Sequence, residues 1–271
     1  MNTVKVARLK ENDLIKKSTM ALPILYSLRN CPYAMRARIA IFKSQQPVLL
    51  RDVVLTNKPA EMILASAKAT VPILVLEREG ELSDEPSCET SDEMGRGRPA
   101  AITNKVIDES FDIMLWALNN ADPDNLLHRV DIDDASHEVR ANDTLSEMIT
   151  LITDFDVEFK TRLEAYKCAK RYHEDNLNDC RQACEQYIQV LETRLAQHDY
   201  LFSARESLAD IALLPFIRQF ARIERQWYLQ SPYPNLQKWL NRYLQSPMFT
   251  KVMAKHPLWL ESRADVLFVG K

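Results

Sequence analysis

The pattern of apolar segments changes near residue 121, and this change constrains the fold more than any other feature. Before it, apolar segments of strand length alternate with segments of helical periodicity, whereas the pattern after it is helical throughout. The first part predicts strands at 22–27, 47–55, 71–77 and 105–109, and helices at 32–44, 58–68 and 110–120. We therefore predict an α/β domain of order βαβαββα followed by an all-α helical bundle.

Two polar segments of the first part are set apart from its predicted core, and the boundary between the two domains is predicted at the change of pattern near residue 121. Residues 1–19 lack the apolar centre of a secretory signal, and they are interpreted as a flexible N-terminal arm or as residues ahead of a natural start at Met20. Residues 78–104 are acidic and carry Gly, Pro and Ser throughout, which predicts a mobile surface insertion. The predicted domains are 20–120, which contains the insertion, and 121–271.

Composition argues against several classes of function. The chain of 271 residues has a net charge of −3, which gives no electrostatic case for nucleic-acid binding. No apolar run reaches the ~20 residues of a membrane span. The five cysteines are odd in number and irregularly spaced, which indicates a reducing compartment, the cytoplasm, rather than a disulfide framework.

The last long helical segment, 207–227, carries two structural signals. Ser207 and Asp210 have the spacing of a capping box, with Asp in place of the usual Glu. Pro215 predicts a kink within the helix. We therefore expect Ser207 and Asp210 to form a structural cap rather than a catalytic pair.

Cys31 is the residue on which the functional hypothesis depends. It precedes Pro32 in the segment RNCPYAMRARIAIF, where the first helix begins. With Cys31 at the N-cap and Pro32 at the first helical position, the sulfur faces unpaired backbone N–H groups, which favour thiolate over thiol. The alternative is a buried cysteine that packs as a small apolar side chain.

Ala34 stands where a CxxC motif has its second cysteine. A CxxC pair can accept and release electrons within one protein, whereas a lone cysteine needs an external thiol to resolve its mixed disulfide. Glutathione is the natural thiol in a reducing cytoplasm. We predict it as the co-substrate, and the reaction requires no metal.

Four motifs, in this order along the chain, resemble the glutathione transferase family: CPYA (31–34), TVPILVLE (70–77), VIDES (106–110) and LFSARESLADIALLPFIRQFA (201–221). The first half is also similar to glutaredoxins. The segment LTNKP resembles the omega-type transferases, which use a cysteine. The resemblance implies a thioredoxin-like N-terminal domain, glutathione as co-substrate and a homodimer.

The resemblance also assigns residues to a glutathione site. Val71 and Pro72 resemble the family's cis-proline turn, which leaves the Val71 N–H and C=O free to pair with a peptide-like ligand. Ser110 at a helix start suits the γ-glutamyl carboxylate, and Glu109 suits the ammonium group. Two further residues match family positions near the ligand, with ordinary surface or packing roles as their alternatives: Lys58 and Tyr33.

These features predict a cytoplasmic thiol transferase in which the Cys31 thiolate forms a mixed disulfide with glutathione and then exchanges it. Two alternatives stay open. One is a transferase that conjugates glutathione to electrophiles, and the other is a transferase-like interaction or regulatory module, favoured by the acidic insertion. No motif marks the electrophile pocket, and three aromatic candidates are better interpreted as core residues: Tyr166, Trp227 and Tyr228. The spacing of His173, Cys180 and Cys184 fits no zinc pattern.

Overall fold

The structure is a computed structural model that describes residues 22–76, 105–129 and 135–270. The predicted arm at 1–19 and the predicted insertion at 78–104 lie outside these ranges. Within them, no helix combines the length and the apolar character that crossing a membrane requires.

Seven elements follow the predicted order βαβαββα: β1 (Ile24–Ser27), α1 (Pro32–Lys43), β2 (Val48–Asp52), α2 (Ala60–Ala65), β3 (Ile73–Leu76), β4 (Lys105–Ile107) and α3 (Ser110–Asn120). β1 and β2 are parallel, and α1 provides the crossover that a parallel pair requires. β3 is antiparallel to β1, and β4 is antiparallel to β3. This part of the chain has the predicted thioredoxin-like arrangement.

A fifth strand, β5 (Val266–Phe268), comes from the end of the chain and gives the sheet order β4–β3–β1–β2–β5. It pairs antiparallel with β2, with Phe268 opposite Val48. The sequence pattern did not predict β5, because three apolar residues are too few to show a period of two. The strand covers the outer edge of β2, which would otherwise present unpaired backbone groups.

Helix α2 is shorter than the predicted span of 58–68. Pro59 is its N-cap rather than part of its first turn, and Ser66 leaves the helix with φ −143° and ψ 125°. The Ser66 hydroxyl donates to the Asp108 carboxylate at 2.6 Å. This bond ties the end of α2 to the loop between β4 and α3.

The remaining helices confirm the predicted helical C-terminal part: α4 (Ala135–Asp154), α5 (Lys160–Tyr172), α6 (Leu177–Leu195), α7 (Leu208–Ile223), α8 (Arg225–Gln230), α9 (Pro234–Leu244), α10 (Pro247–Val252) and α11 (Trp259–Ser262). Between α4 and α5, Phe155–Phe159 forms one π-helical turn. Such turns are rare and are frequent at functional sites.

The predicted helix 207–227 is divided in two at Glu224, although α7 continues past Pro215. Glu224 has φ −128° and ψ 75°, outside the helical region. Its carboxylate accepts hydrogen bonds from the Tyr166 hydroxyl at 2.8 Å and from Arg181 Nη1 at 2.9 Å. These contacts hold Glu224 where α7 ends and α8 begins.

Ser207 and Asp210 form the predicted capping box of α7. Asp210 Oδ2 accepts from the Ser207 backbone N–H at 3.0 Å, and Asp210 Oδ1 accepts from Leu201 N–H at 3.1 Å and from Trp239 Nε1 at 2.8 Å. Because burial opposes ionisation, the pKa of Asp210 is raised to about 6. Asp210 therefore links the start of α7 to α9.

Helix α1 connects the two parts of the molecule. It packs against α3 of the α/β part and against α7 of the helical part. Ile41, Leu118 and Phe220, one from each of these helices, belong to one continuous apolar core. Helix α1, whose N-cap is Cys31, therefore lies between the two parts.

Candidate functional site

Cys31 is the N-cap of α1, and Pro32 takes the first helical position, as predicted. The Cys31 backbone is extended, with φ −75° and ψ 124°, and its carbonyl accepts the first helical bond from Met35 N–H at 2.9 Å. The thiol is half-buried and donates to the Val71 carbonyl oxygen, with Sγ 3.8 Å from it. The sulfur thus lies between the positive end of α1 and the loop before β3.

Five of the predicted residues line one cavity of about 400 Å³, here called the site cavity: Tyr33, Val71, Pro72, Glu109 and Ser110. The Val71–Pro72 peptide bond is cis, as the family resemblance implied. The walls of the cavity come from α1, the loop before β3, the start of α3 and the π-helical turn. Five of the six residues that the resemblance assigned to glutathione binding therefore lie around one cavity.

Lys58 is the one predicted glutathione-binding residue that the structure does not bring to this cavity. It is half-buried in the loop before α2, and the described lining of the site cavity does not contain it. A different lysine, Lys68, contacts Glu109 at 2.5 Å and Asp108 at 3.1 Å. Nothing in its sequence context distinguishes Lys68 from a solvated lysine.

The predicted Ser110 hydroxyl already has a partner, because it accepts a hydrogen bond from Arg36 Nε at 3.0 Å. The Arg36 side chain is 3% exposed, and its terminal nitrogens donate to both oxygens of Asp156, at 2.8 and 2.9 Å. This fork-to-fork geometry joins α1 to the π-helical turn. The sequence signal for such a pair is an arginine placed among the apolar residues of a helix, since a buried guanidinium requires a partner.

Tyr33 both packs and faces the site cavity. Its ring meets Phe216 edge-on, with centroids 5.1 Å apart, and Lys160 Nζ lies 5.0 Å from the ring centroid. Burial raises the pKa of the Tyr33 hydroxyl, and the hydrogen bond to Tyr33 raises the pKa of Lys160. The sequence did not point to Lys160 or Asp156, because an acid and a base four residues apart are typical of a solvated helix face.

The three aromatic candidates for an electrophile pocket are packing residues. Tyr166 is fully buried and donates to Glu224, and Tyr228 is 4% exposed. Trp227 packs against the apolar core, and the Arg181 guanidinium lies 4.5 Å from its ring centroid. The structure thus agrees with core packing, the interpretation that the sequence favoured for all three.

The site cavity carries charges of both signs beside one thiol. Arg36 and Lys160 are its cations, and the carboxylates of Asp108, Glu109 and Asp156 are its anions. Such a cavity suits a small zwitterionic ligand that has both ammonium and carboxylate groups. The thiol of Cys31, next to the Val71 carbonyl group, can react with a sulfur atom of such a ligand.

Solved structures with the same fold cover most of the chain. A glutathione transferase family member from Pseudomonas fluorescens, with two glutathione bound, is 14% identical with a TM-score of 0.62 over 89% of this chain and 96% of that one. A glutathione transferase from Pseudomonas putida, with one glutathione disulfide bound per subunit, is 14% identical with a TM-score of 0.64 over 87% and 92%. Glutathione transferase Omega 2C from Trametes versicolor is 17% identical with a TM-score of 0.60 over 85% and 92%.

Sequence comparison gives the same answer for both parts of the chain. Residues 25–93 match the family model described as glutathione S-transferase, N-terminal domain, and residues 171–242 match that of the C-terminal domain. The two matches together take in more than half of the chain. No curated protein sequence matches it. With both domain models matched in order and the fold shared, the chain belongs to the glutathione S-transferase family.

Proposed function

We propose that the protein is a glutathione-dependent thiol transferase in which Cys31 is the nucleophile. One observation carries the proposal: Cys31 is the N-cap of α1, with its sulfur 3.8 Å from the Val71 carbonyl oxygen of the site cavity. A helix N-terminus favours the thiolate, which is the reactive form of cysteine. The relatives crystallised with glutathione or its disulfide support glutathione as the ligand. A cytoplasmic homodimer is part of the same proposal.

The residues of the site cavity have separate roles in holding glutathione. The Val71 N–H and C=O pair with the cysteinyl backbone, which brings the two sulfur atoms together. The start of α3 at Ser110 receives the γ-glutamyl carboxylate, since the first N–H groups of a helix attract anions. The Glu109 carboxylate receives the ammonium group while it also contacts Lys68. Lys160 is the cation available to the second carboxylate.

The reaction is two successive exchanges. The Cys31 thiolate attacks the glutathionyl sulfur of a mixed disulfide GS–SR, so that a Cys31–glutathione disulfide forms and RS⁻ leaves. The thiolate of a second glutathione then attacks the glutathionyl sulfur on Cys31. Glutathione disulfide leaves and the Cys31 thiolate is restored. RS⁻ takes up one proton, which balances the proton that the second glutathione lost when it formed its thiolate. In sum, GS–SR and one reduced glutathione give glutathione disulfide and RSH, so one disulfide and one thiol are consumed and one of each is formed.

Conjugation of glutathione to an electrophile is the second candidate, because Tyr33 lines the site cavity and its hydroxyl is a donor for a bound glutathione thiolate. Cys31→Ser and Tyr33→Phe distinguish the two. We expect Cys31→Ser to reduce turnover of the glutathione–mercaptoethanol mixed disulfide to the uncatalysed rate and Tyr33→Phe to retain most of it. Retained conjugation of an aromatic halide by Cys31→Ser, together with its loss in Tyr33→Phe, would favour the second candidate.

A transferase-like interaction module is the third candidate, and it depends on the acidic insertion at 78–104, outside the described residues. Equilibrium binding of glutathione to the full chain separates it from both enzymes. We expect glutathione to bind and Glu109→Gln to weaken that binding. A chain that binds no glutathione would support the module.

A further inference from the structure

A second cavity, of about 330 Å³, adjoins the start of α1 on a neighbouring face. Pro32 and Met35 line this cavity, whereas Tyr33 and Arg36 line the site cavity. Residues three apart share a face of a helix, so the two cavities lie along adjacent faces of α1. Cys31 is the N-cap of α1 and therefore lies at the end of the helix where both of these faces begin. The second cavity is called the arginine cavity below.

The described lining of the arginine cavity contains three cations and no carboxylate: Lys167, Arg218 and Arg222. Lys167 donates to both oxygens of Glu164 at 2.8 Å. Arg218 is half-buried, with its guanidinium 5.6 Å from the Phe249 ring centroid. Neither Arg218 nor Arg222 has an ion-pair partner among the residues that the structure describes.

The two arginines oppose each other electrostatically. They are four residues apart on α7, a spacing at which like charges destabilise a helix. Burial lowers the pKa of Arg218, and the charges of Arg222 and Arg29 lower it further, with no acidic group acting against them. An anion bound in the arginine cavity would offset this repulsion. In the site cavity, by contrast, Arg36 is already paired with Asp156.

We propose that the thiol R–SH released from the mixed disulfide GS–SR carries a carboxylate, which the arginine cavity binds through Arg218 and Arg222. This inference rests on the proposed thiol transferase function. The glutathionyl part occupies the site cavity, and R extends past Cys31 to the arginine cavity. The bond from Cys31 Sγ to the glutathionyl sulfur forms, the S–SR bond breaks, and the carboxylate-bearing thiolate leaves and takes a proton from water. The cavity volume suits a small organic thiol.

The test uses two thioethers that cannot be reduced, S-(2-carboxyethyl)glutathione and S-(2-hydroxyethyl)glutathione, which differ at the end of R. Their dissociation constants from the full chain are measured by titration calorimetry. We expect the carboxylate to bind about tenfold more tightly than the alcohol. In the variant with both Arg218→Gln and Arg222→Gln, this ratio should fall to about one while binding of the alcohol is unchanged.

Arg205→Gln is the matched control, because Arg205 is an exposed arginine that lines neither cavity. It should keep the tenfold ratio. If the double variant does not fold, Arg222→Gln alone, at an exposed position, should lower the ratio about threefold. Equal binding of the two thioethers to the unmodified chain would overturn the inference and leave the glutathione site intact. Binding of neither would contradict the proposed function itself, and with it the inference.

Discussion

The Arg36 guanidinium joins three places that are far apart in the sequence. It lies on α1, donates to Ser110 at the start of α3 and pairs with Asp156 in the π-helical turn. A buried ion pair contributes little to stability as a whole, but removal of one partner leaves the other charge buried and unpaired. The pair therefore fixes where the helical part meets the site cavity.

The first prediction concerns Asp156→Asn, which leaves the 3%-exposed Arg36 without its carboxylate. We expect a loss of about 2–3 kcal/mol in the free energy of unfolding, measured by urea denaturation. Asp124→Asn is the control, because Asp124 is half exposed in its pair with Lys43 and should cost less than about 1 kcal/mol. Equal losses in the two variants would show that the Arg36 pair is not the critical contact.

The second prediction concerns Asp210, whose pKa is raised to about 6 in the folded chain from about 3.9 in an unfolded one. The folded state binds this proton more tightly than the unfolded state does. The resulting contribution to the free energy of unfolding is fully present at pH values below the unfolded pKa, and it is lost as pH rises through about 6. Asp210→Asn cannot titrate. We therefore expect the stability of the unmodified chain relative to Asp210→Asn to fall by about 2 kcal/mol between pH 4 and 7.

Denaturation of both proteins across this pH range checks the prediction for Asp210. The other titrating groups, such as Glu224 and Asp108, whose pKa values are lowered, are common to both proteins and cancel in the difference. A relative stability that rises with pH would mean that the hydrogen bonds to Asp210 outweigh its burial.

At the scale of elements, β5 shows how the end of the chain is held. The backbone of Gly270 approaches α1 so closely that a Cβ atom there would lie 1.6 Å from the Phe42 carbonyl oxygen. Phe268 contacts Phe42 as well, with ring centroids 6.5 Å apart. The contact with the end of α1 therefore requires glycine at this position.

The third prediction follows from that approach. In the Gly270→Ala variant the chain cannot keep its present position. The added Cβ atom would meet the backbone of Phe42, which cannot move aside as a flexible side chain can. We expect a loss of about 1–2 kcal/mol of stability and a lower Tm by thermal denaturation. Val269→Ala, at an exposed neighbour, should have little effect. A Gly270→Ala variant as stable as Val269→Ala would mean that the contact contributes nothing.

Elements with a clear period could be predicted from the sequence, and those set by tertiary contacts could not. Apolar runs and spacing located β1 to β4, α1 and α3 to within a few residues. The break at Glu224 depends on partners from α5 and α6, and the π-helical turn at Phe155–Phe159 lies inside an otherwise regular apolar pattern. Local sequence carries no signal for either feature.

At the scale of the whole molecule, the same distinction separates two kinds of site residue. Tyr33, Val71 and Ser110 lie at predictable places in the α/β part, namely a helix start, an X-Pro bond and a strand-to-helix junction. Asp156 and Lys160 reach the site cavity only because the helical part packs against α1. Their contribution depends on that packing, which no motif in the sequence specifies.

The central claim is that Cys31 exchanges disulfides with glutathione, and peptide mapping tests it directly. The full chain is exposed to glutathione disulfide at pH 7 and its cysteines are followed by mass spectrometry. Cys168 is an exposed reference, and Cys184 is an unreactive one, because burial raises its pKa to about 12. We predict that Cys31 is glutathionylated at least about tenfold faster than Cys168, and that reduced glutathione removes the adduct. A Cys31 that stays unmodified, or reacts no faster than Cys168, would contradict the account.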